Sequence, residues 1–101
     1  MQVRREDEDM VSALNVGNNI LDRGFSENID ITPMKLQKII YFVYRDYLQK
    51  SGAPLFSERF ETWKYGPVIP SVYQTFKKYR ANAIKQYALE NDGNTALMVN
   101  E

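Results

Sequence analysis

Cysteine and histidine are both missing from the 101 residues. Without cysteine there is no disulfide and no thiolate nucleophile, a usage that fits the reducing cytosol. Without histidine the chain lacks the commonest general base and the commonest metal ligand. Serine or cysteine nucleophiles activated by histidine are excluded, and so are zinc sites built from Cys and His. No window approaches the ~18 uninterrupted apolar residues of a membrane span. Met1-Gln2-Val3-Arg4-Arg5 runs straight into Glu6-Asp7-Glu8-Asp9, with no apolar stretch of the kind a signal peptide needs. No glycine-rich phosphate loop is present. These absences predict a cytoplasmic protein that is not an enzyme, holds no cofactor or metal and does not enter a membrane.

What is there reads as one globular domain. Hydrophobic residues make up 44% of the chain and aromatics 13%, a composition that folds rather than one that stays disordered. A chain of this length can bury a core, with a thin stability margin. The net charge of zero conceals an uneven layout. Residues 1–31 set three arginines against seven acids, net −4. Residues 32–88 hold ten Lys/Arg against Asp46, Glu58 and Glu61, net +7, and residues 89–101 carry −3. A basic middle between acidic ends suggests an acidic partner or internal charge pairing.

Residues 1–9 read as a charged, flexible leader and residues 10–101 as the domain. Met10, Leu14, Gly17 and Leu21 recur on one helix face. Gly17 in that stripe predicts close approach of a second helix, and Gly24 predicts a stop. After a loop over 25–31, Thr32 caps and Pro33 opens a second helix, which should run to about Lys50, with Ser51-Gly52 ending it. Leu36, Ile40, Val43 and Tyr47 form its stripe, widened by Ile39 and Tyr44. So apolar a circumference predicts the central helix of a small bundle. Residues 60–64 carry a weak strand alternation, and Tyr65-Gly66-Pro67 reads as a break in regular structure. Pro70 starts a third helix with Val72, Phe76 and Tyr79 on its face, and Lys77, Lys78 and Arg80 at its end suit the helix dipole. Asp92-Gly93 suggests a terminal hairpin turn. The predicted fold is mainly α: a small helical bundle around one central helix, with a short β segment or a terminal hairpin. Leu36, Ile40, Val43, Trp63, Val72 and Phe76 are the predicted core.

Two segments carry the most specific information. One is Thr32-Pro33-Met34-Lys35-Leu36-Gln37-Lys38-Ile39-Ile40-Tyr41. The other is Trp63-Lys64-Tyr65-Gly66-Pro67-Val68, about 25 residues further on. Their order and spacing resemble the Panacea domain, the antitoxin family that includes SocA-like and phage-associated (GepA-type) proteins. The resemblance covers residues 32–79 strongly and the first helix loosely. It implies a largely helical domain that neutralises a cognate toxin by direct protein binding, in some members as an adaptor that delivers the toxin to a protease complex. Family members usually continue with further helices and a Thr-His-Pro-Trp-like segment that this sequence lacks.

Each motif has a functional and a structural reading. Lys35, Gln37 and Lys38 either touch a partner, or Gln37 bonds a nearby loop backbone while the lysines are solvated. Gly66 and Pro67 together stiffen a turn that can display Trp63 and Tyr65, both favoured interface anchors; the structural alternative packs Trp63 on the central helix. Tyr41, Tyr44 and Tyr47 lie at helical spacing beside the stripe, so they read as core residues with polar tips rather than as a base-stacking surface. The run Glu6–Asp9 reads as solvated rather than cation-binding, and Glu58 with Glu61 does not read as an acid–base pair. The predicted partner surface is Lys35, Lys38, Lys64, Tyr65, Pro67 and Tyr73. The alternative function is a nucleic-acid-binding regulator of its own operon, motivated by the basic middle block.

Overall fold

A computed structural model describes residues 11–89. Three α-helices and one two-stranded antiparallel hairpin make up the described fold: α1 (Ala13–Ser26), α2 (Pro33–Ser51), β1 (Glu61–Trp63), β2 (Gly66–Val68) and α3 (Pro70–Phe76), the last running into a 3-10 turn over Lys77–Tyr79. The architecture is the mainly helical one that the sequence predicts. The suggested hairpin at Asp92-Gly93 and the leader of residues 1–9 lie outside the described residues.

Local chemistry sets the helix ends. Ser12 caps α1 with a reciprocal pair: its hydroxyl accepts from the Asn15 N–H at 3.0 Å, and Asn15 Oδ1 accepts from the Ser12 N–H at 3.0 Å. The helix thus begins later than the apolar stripe from Met10 implies. A third N-terminal N–H, that of Ala13, donates to Glu58 Oε2 at 3.1 Å, which ties the 53–60 linker to the start of α1. Thr32 Oγ1 accepts from the Lys35 N–H at 3.2 Å, and Pro33 occupies the first helical position of α2. That helix ends at Gly52, whose φ of +76° is the left-handed cap that glycine adopts without penalty.

Gly24 is not a stop. It lies inside α1, which continues for two more residues to Ser26. A Cβ there would come within 2.7 Å of Ile31 Cδ1 and 3.1 Å of the Ile29 carbonyl oxygen. The glycine is therefore a packing site that lets the α1–α2 connection fold back on the helix. Gly17 does face α2, but a Cβ there would meet Ile40 and Leu36 at ordinary contact distances of 3.5 and 3.7 Å. The two glycines should respond oppositely to alanine. Gly17→Ala is expected to stabilise the fold by about 0.5 kcal/mol through helix propensity. Gly24→Ala is expected to destabilise it by about 1 kcal/mol because overpacking outweighs that gain. Urea denaturation of both variants checks the pair.

The core runs through Ala13, Val16 and Leu21 of α1, Leu36 and Ile40 of α2, Val72 and Phe76 of α3, and Ile31, Phe56, Ile69, Ile84 and Ala88 from the connections. Leu36, Ile40, Val72 and Phe76 are buried as the sequence predicts; Val43 and Trp63 are not. Val43 and Tyr47 are 38% and 42% exposed, because the far half of α2 is covered only on the side where the linker returns. There Tyr44 meets Phe56 and Phe60 with ring centroids at 4.8 and 5.4 Å, and Tyr41 meets Phe60 at 5.2 Å. Of the three tyrosines read as core with polar tips, Tyr41 and Tyr44 are half-buried and Tyr47 is exposed.

Two buried amides hold the connections to the helices. Asn18 on α1 donates to the Ala88 carbonyl at 2.8 Å and accepts from the Ala88 N–H at 2.7 Å. Gln37 on α2 donates to the Ile69 carbonyl at 3.2 Å and accepts from the Ile69 N–H at 3.0 Å. Each side chain satisfies both polar groups of one backbone residue, as a neighbouring strand would. Asn18 and Gln37 are the buried polar residues among those described. Near the first clamp, the Tyr87 hydroxyl donates to Asp22 at 2.7 Å, and that bond raises the tyrosine's pKa from its ordinary value.

Candidate functional site

The Tyr65-Gly66-Pro67 segment does not end regular structure as the sequence suggests. Lys64 and Tyr65 form a two-residue turn, and Gly66–Val68 is the second strand of a hairpin with Glu61 opposite Val68, Thr62 opposite Pro67 and Trp63 opposite Gly66. Proline is tolerated because each strand of a two-stranded ribbon is an edge. Gly66 supplies the φ of +120° at the exit of the turn. Ile69 follows directly, and the Gln37 clamp on Ile69 fixes this hairpin against the first turns of α2. Gln37 therefore has the structural role, bonding a loop backbone, while Lys35 and Lys38 on either side of it are exposed.

Between the start of α2, the hairpin and α3 lies a groove of about 390 Å³. Met34 and Lys38, one helical turn apart, form one wall. Trp63, Lys64 and Tyr65 of the hairpin form the second, and Tyr73 of α3 with Arg80 beyond it forms the third; Val68 and Val72 also line it. Trp63 does not pack into the core on α2. Its ring meets Tyr73 edge-on at 4.9 Å, and its indole N–H donates to Glu61 Oε1 at 2.8 Å. The side chain is 36% exposed. The Lys64 ammonium lies 5.4 Å from the Tyr65 ring centroid, and Tyr65 is 66% exposed.

Four of the six predicted surface residues, Lys38, Lys64, Tyr65 and Tyr73, line this groove together. Lys35 and Pro67 do not line it. Lys35 is exposed beside Met34 on the first turn of α2, and Pro67 is half-buried within the hairpin. Sequence reasoning missed Met34, although its i, i+4 relation to Lys38 places both on one face, and it read Arg80 only as one of three cations at the end of the third helix, not as part of the partner surface. Glu58 and Glu61 serve as hydrogen-bond acceptors for α1 and for Trp63. No group of three or more acidic residues that could hold a metal ion exists among the described residues.

A second groove of about 560 Å³ separates α1 from the exposed half of α2. It is almost wholly apolar, with Val16, Ile20, Ile29, Ile39, Val43 and Tyr47 among its lining.

A family profile described as "Antitoxin SocA-like, Panacea domain" matches residues 36–98, more than half of the chain. The chain belongs to this family. That match takes in the Gln37 clamp, the hairpin and α3, and leaves Pro33 and Met34 just before its start. The chain is also 37% identical over 87 residues to "Antitoxin SocA" of Caulobacter vibrioides (strain NA1000 / CB15N), an alignment covering 86% of this chain and 46% of that protein. The chain thus spans about half the length of the curated relative it matches. No solved structure matches it. As a Panacea-domain chain it falls in an antitoxin family, and no helix among its described residues is long and apolar enough to cross a membrane.

Proposed function

We propose that the chain neutralises a cognate toxin by binding it directly through the groove between α2, the hairpin and α3. The observation that carries this reading is the gathering of Met34, Trp63, Tyr65 and Tyr73, all exposed, from three elements around one concavity. Aromatic side chains held on rigid elements are the usual anchors of a protein interface. The hairpin is anchored to α2 because Gln37 bonds the residue that follows it. Membership of an antitoxin family supplies the class of partner. Cations at the rim would speed capture of a negatively charged toxin. No bond is made or broken: the bound chain covers the toxin's working face. A proteolysis adaptor would use the same surface and differ in the fate of the toxin, so toxin half-life with and without the chain separates the two. Residues 10–101 would act as one domain in either case.

Co-expression with the product of the adjacent gene is the direct test. The product alone should arrest growth, and the chain should restore it. A harmless product, or no rescue, contradicts the proposal. Within this assay Tyr65→Ala is expected to weaken the complex about tenfold or more, with little change in melting temperature because the side chain is mostly exposed. Calorimetric titration and thermal denaturation of the same protein sample check both halves.

A further inference from the structure

Arg80 holds a backbone conformation that its residue type disfavours. Its φ is +54° and its ψ −117°, a combination open to glycine and costly for any side chain with a Cβ. Such strain is held in place by the surrounding fold and clusters where it serves binding or catalysis. The side chain gives the fold nothing visible in return: among the described residues the guanidinium has no hydrogen bond and no ion pair, and only the Arg80 backbone N–H is engaged, with the Lys77 carbonyl at 3.0 Å. Glycine at this position would relieve the strain, yet the residue is an arginine lining the groove.

The charged residues that line the groove are all cations. Lys38, Lys64 and Arg80 line it, and none of its lining residues is acidic. The acid at the hairpin, Glu61, accepts from the Trp63 indole beside the groove. Between the cations the walls are Met34, Trp63, Val68 and Tyr73.

We infer that Arg80 is the residue that reads a carboxylate on the bound partner, so that the groove selects a protein segment presenting an apolar side chain flanked by Asp or Glu. This rests on the protein-binding reading above and names the partner's chemistry. A guanidinium suits the task because its planar fork can pair both carboxylate oxygens, which a lysine ammonium cannot do. Lys38 and Lys64 then act as less exacting attractors at the rim, and the apolar side chain enters between them.

The strain gives the inference a signature that a structural role for Arg80 would not produce. Arg80→Gly should raise the melting temperature by about 2–8 °C, while weakening the complex with the adjacent-gene product about tenfold or more. Arg80→Lys should keep the melting temperature and lose several-fold in affinity, and Arg80→Glu should abolish binding. An array of twelve-residue peptides with a Leu-Trp centre provides an independent probe. The unaltered chain should bind peptides whose flanks are Glu/Asp and ignore those with Gln/Asn or Lys/Arg. Full affinity in Arg80→Gly, a lower melting temperature in that variant, or equal binding of all peptide sets would overturn the inference. If the adjacent-gene product binds but is indifferent to Arg80, the carboxylate reading fails while the toxin-binding reading stands. If that product does not bind but acidic peptides do in an Arg80-dependent way, the reverse holds.

Discussion

Phe56→Ala is expected to lower the unfolding free energy by about 4 kcal/mol, a large share of what a domain of this size possesses. The ring is 1% exposed and is wedged between Tyr44 and Phe60, with centroids 4.8 and 5.9 Å away. Its neighbours are planar rings anchored on α2 and on the linker, so they cannot easily collapse into the space left behind. Calorimetry should show a drop of about 20 °C in melting temperature. Phe42→Ala is the control: that ring is 63% exposed, and its removal should change stability by less than about 0.5 kcal/mol. Comparable losses in the two variants would mean that the aromatic cluster is not the element holding the linker, and with it the approach to the hairpin.

Gln37→Leu is expected to cost about 3 kcal/mol, because it strands a buried N–H and a buried carbonyl of Ile69 at once. Leucine approximates the volume of glutamine, so lost packing contributes little. Ile69 lies between β2 and α3, two of the elements that frame the groove. The variant should therefore lose partner affinity as well as stability, with the Ile69 amide losing hydrogen-exchange protection first. Lys35→Ala, two positions away on the exposed face, should leave both unchanged within about 0.5 kcal/mol. Urea denaturation with amide exchange separates the outcomes. A Gln37→Leu chain that keeps full stability would show that the amide clamp is not what fixes the hairpin to α2.

Part of this arrangement is legible in the sequence and part is not. Thr32-Pro33 and Ser51-Gly52 bound α2 as written, because capping and left-handed termination depend on residues within one turn. The inward positions Leu36 and Ile40 follow from periodicity for a similar reason. Val43 continues the same stripe but is exposed, since burial depends on what another element covers, and the linker returns on the side of Tyr44. Gly24 reads locally as a terminator, although its true constraint is Ile31, seven residues later. Gly66-Pro67 reads as a break, yet a ribbon with two edges accepts both residues as a strand. Trp63 has the composition of a core residue, but its ring rests on Tyr73 at the surface. The structural alternative for Gln37 was legible, because a glutamine among apolar helix positions needs a polar partner. The strained backbone of Arg80 left no trace in the sequence.

Hydrogen–deuterium exchange of the whole chain, alone and saturated with the adjacent-gene product, locates the bound partner on the surface. New protection is expected over residues 33–38, 61–68 and 72–80, the walls of the hairpin groove. Protection confined to residues 20–31 and 39–47, which would place the partner in the apolar groove between α1 and α2, would contradict binding at the hairpin groove.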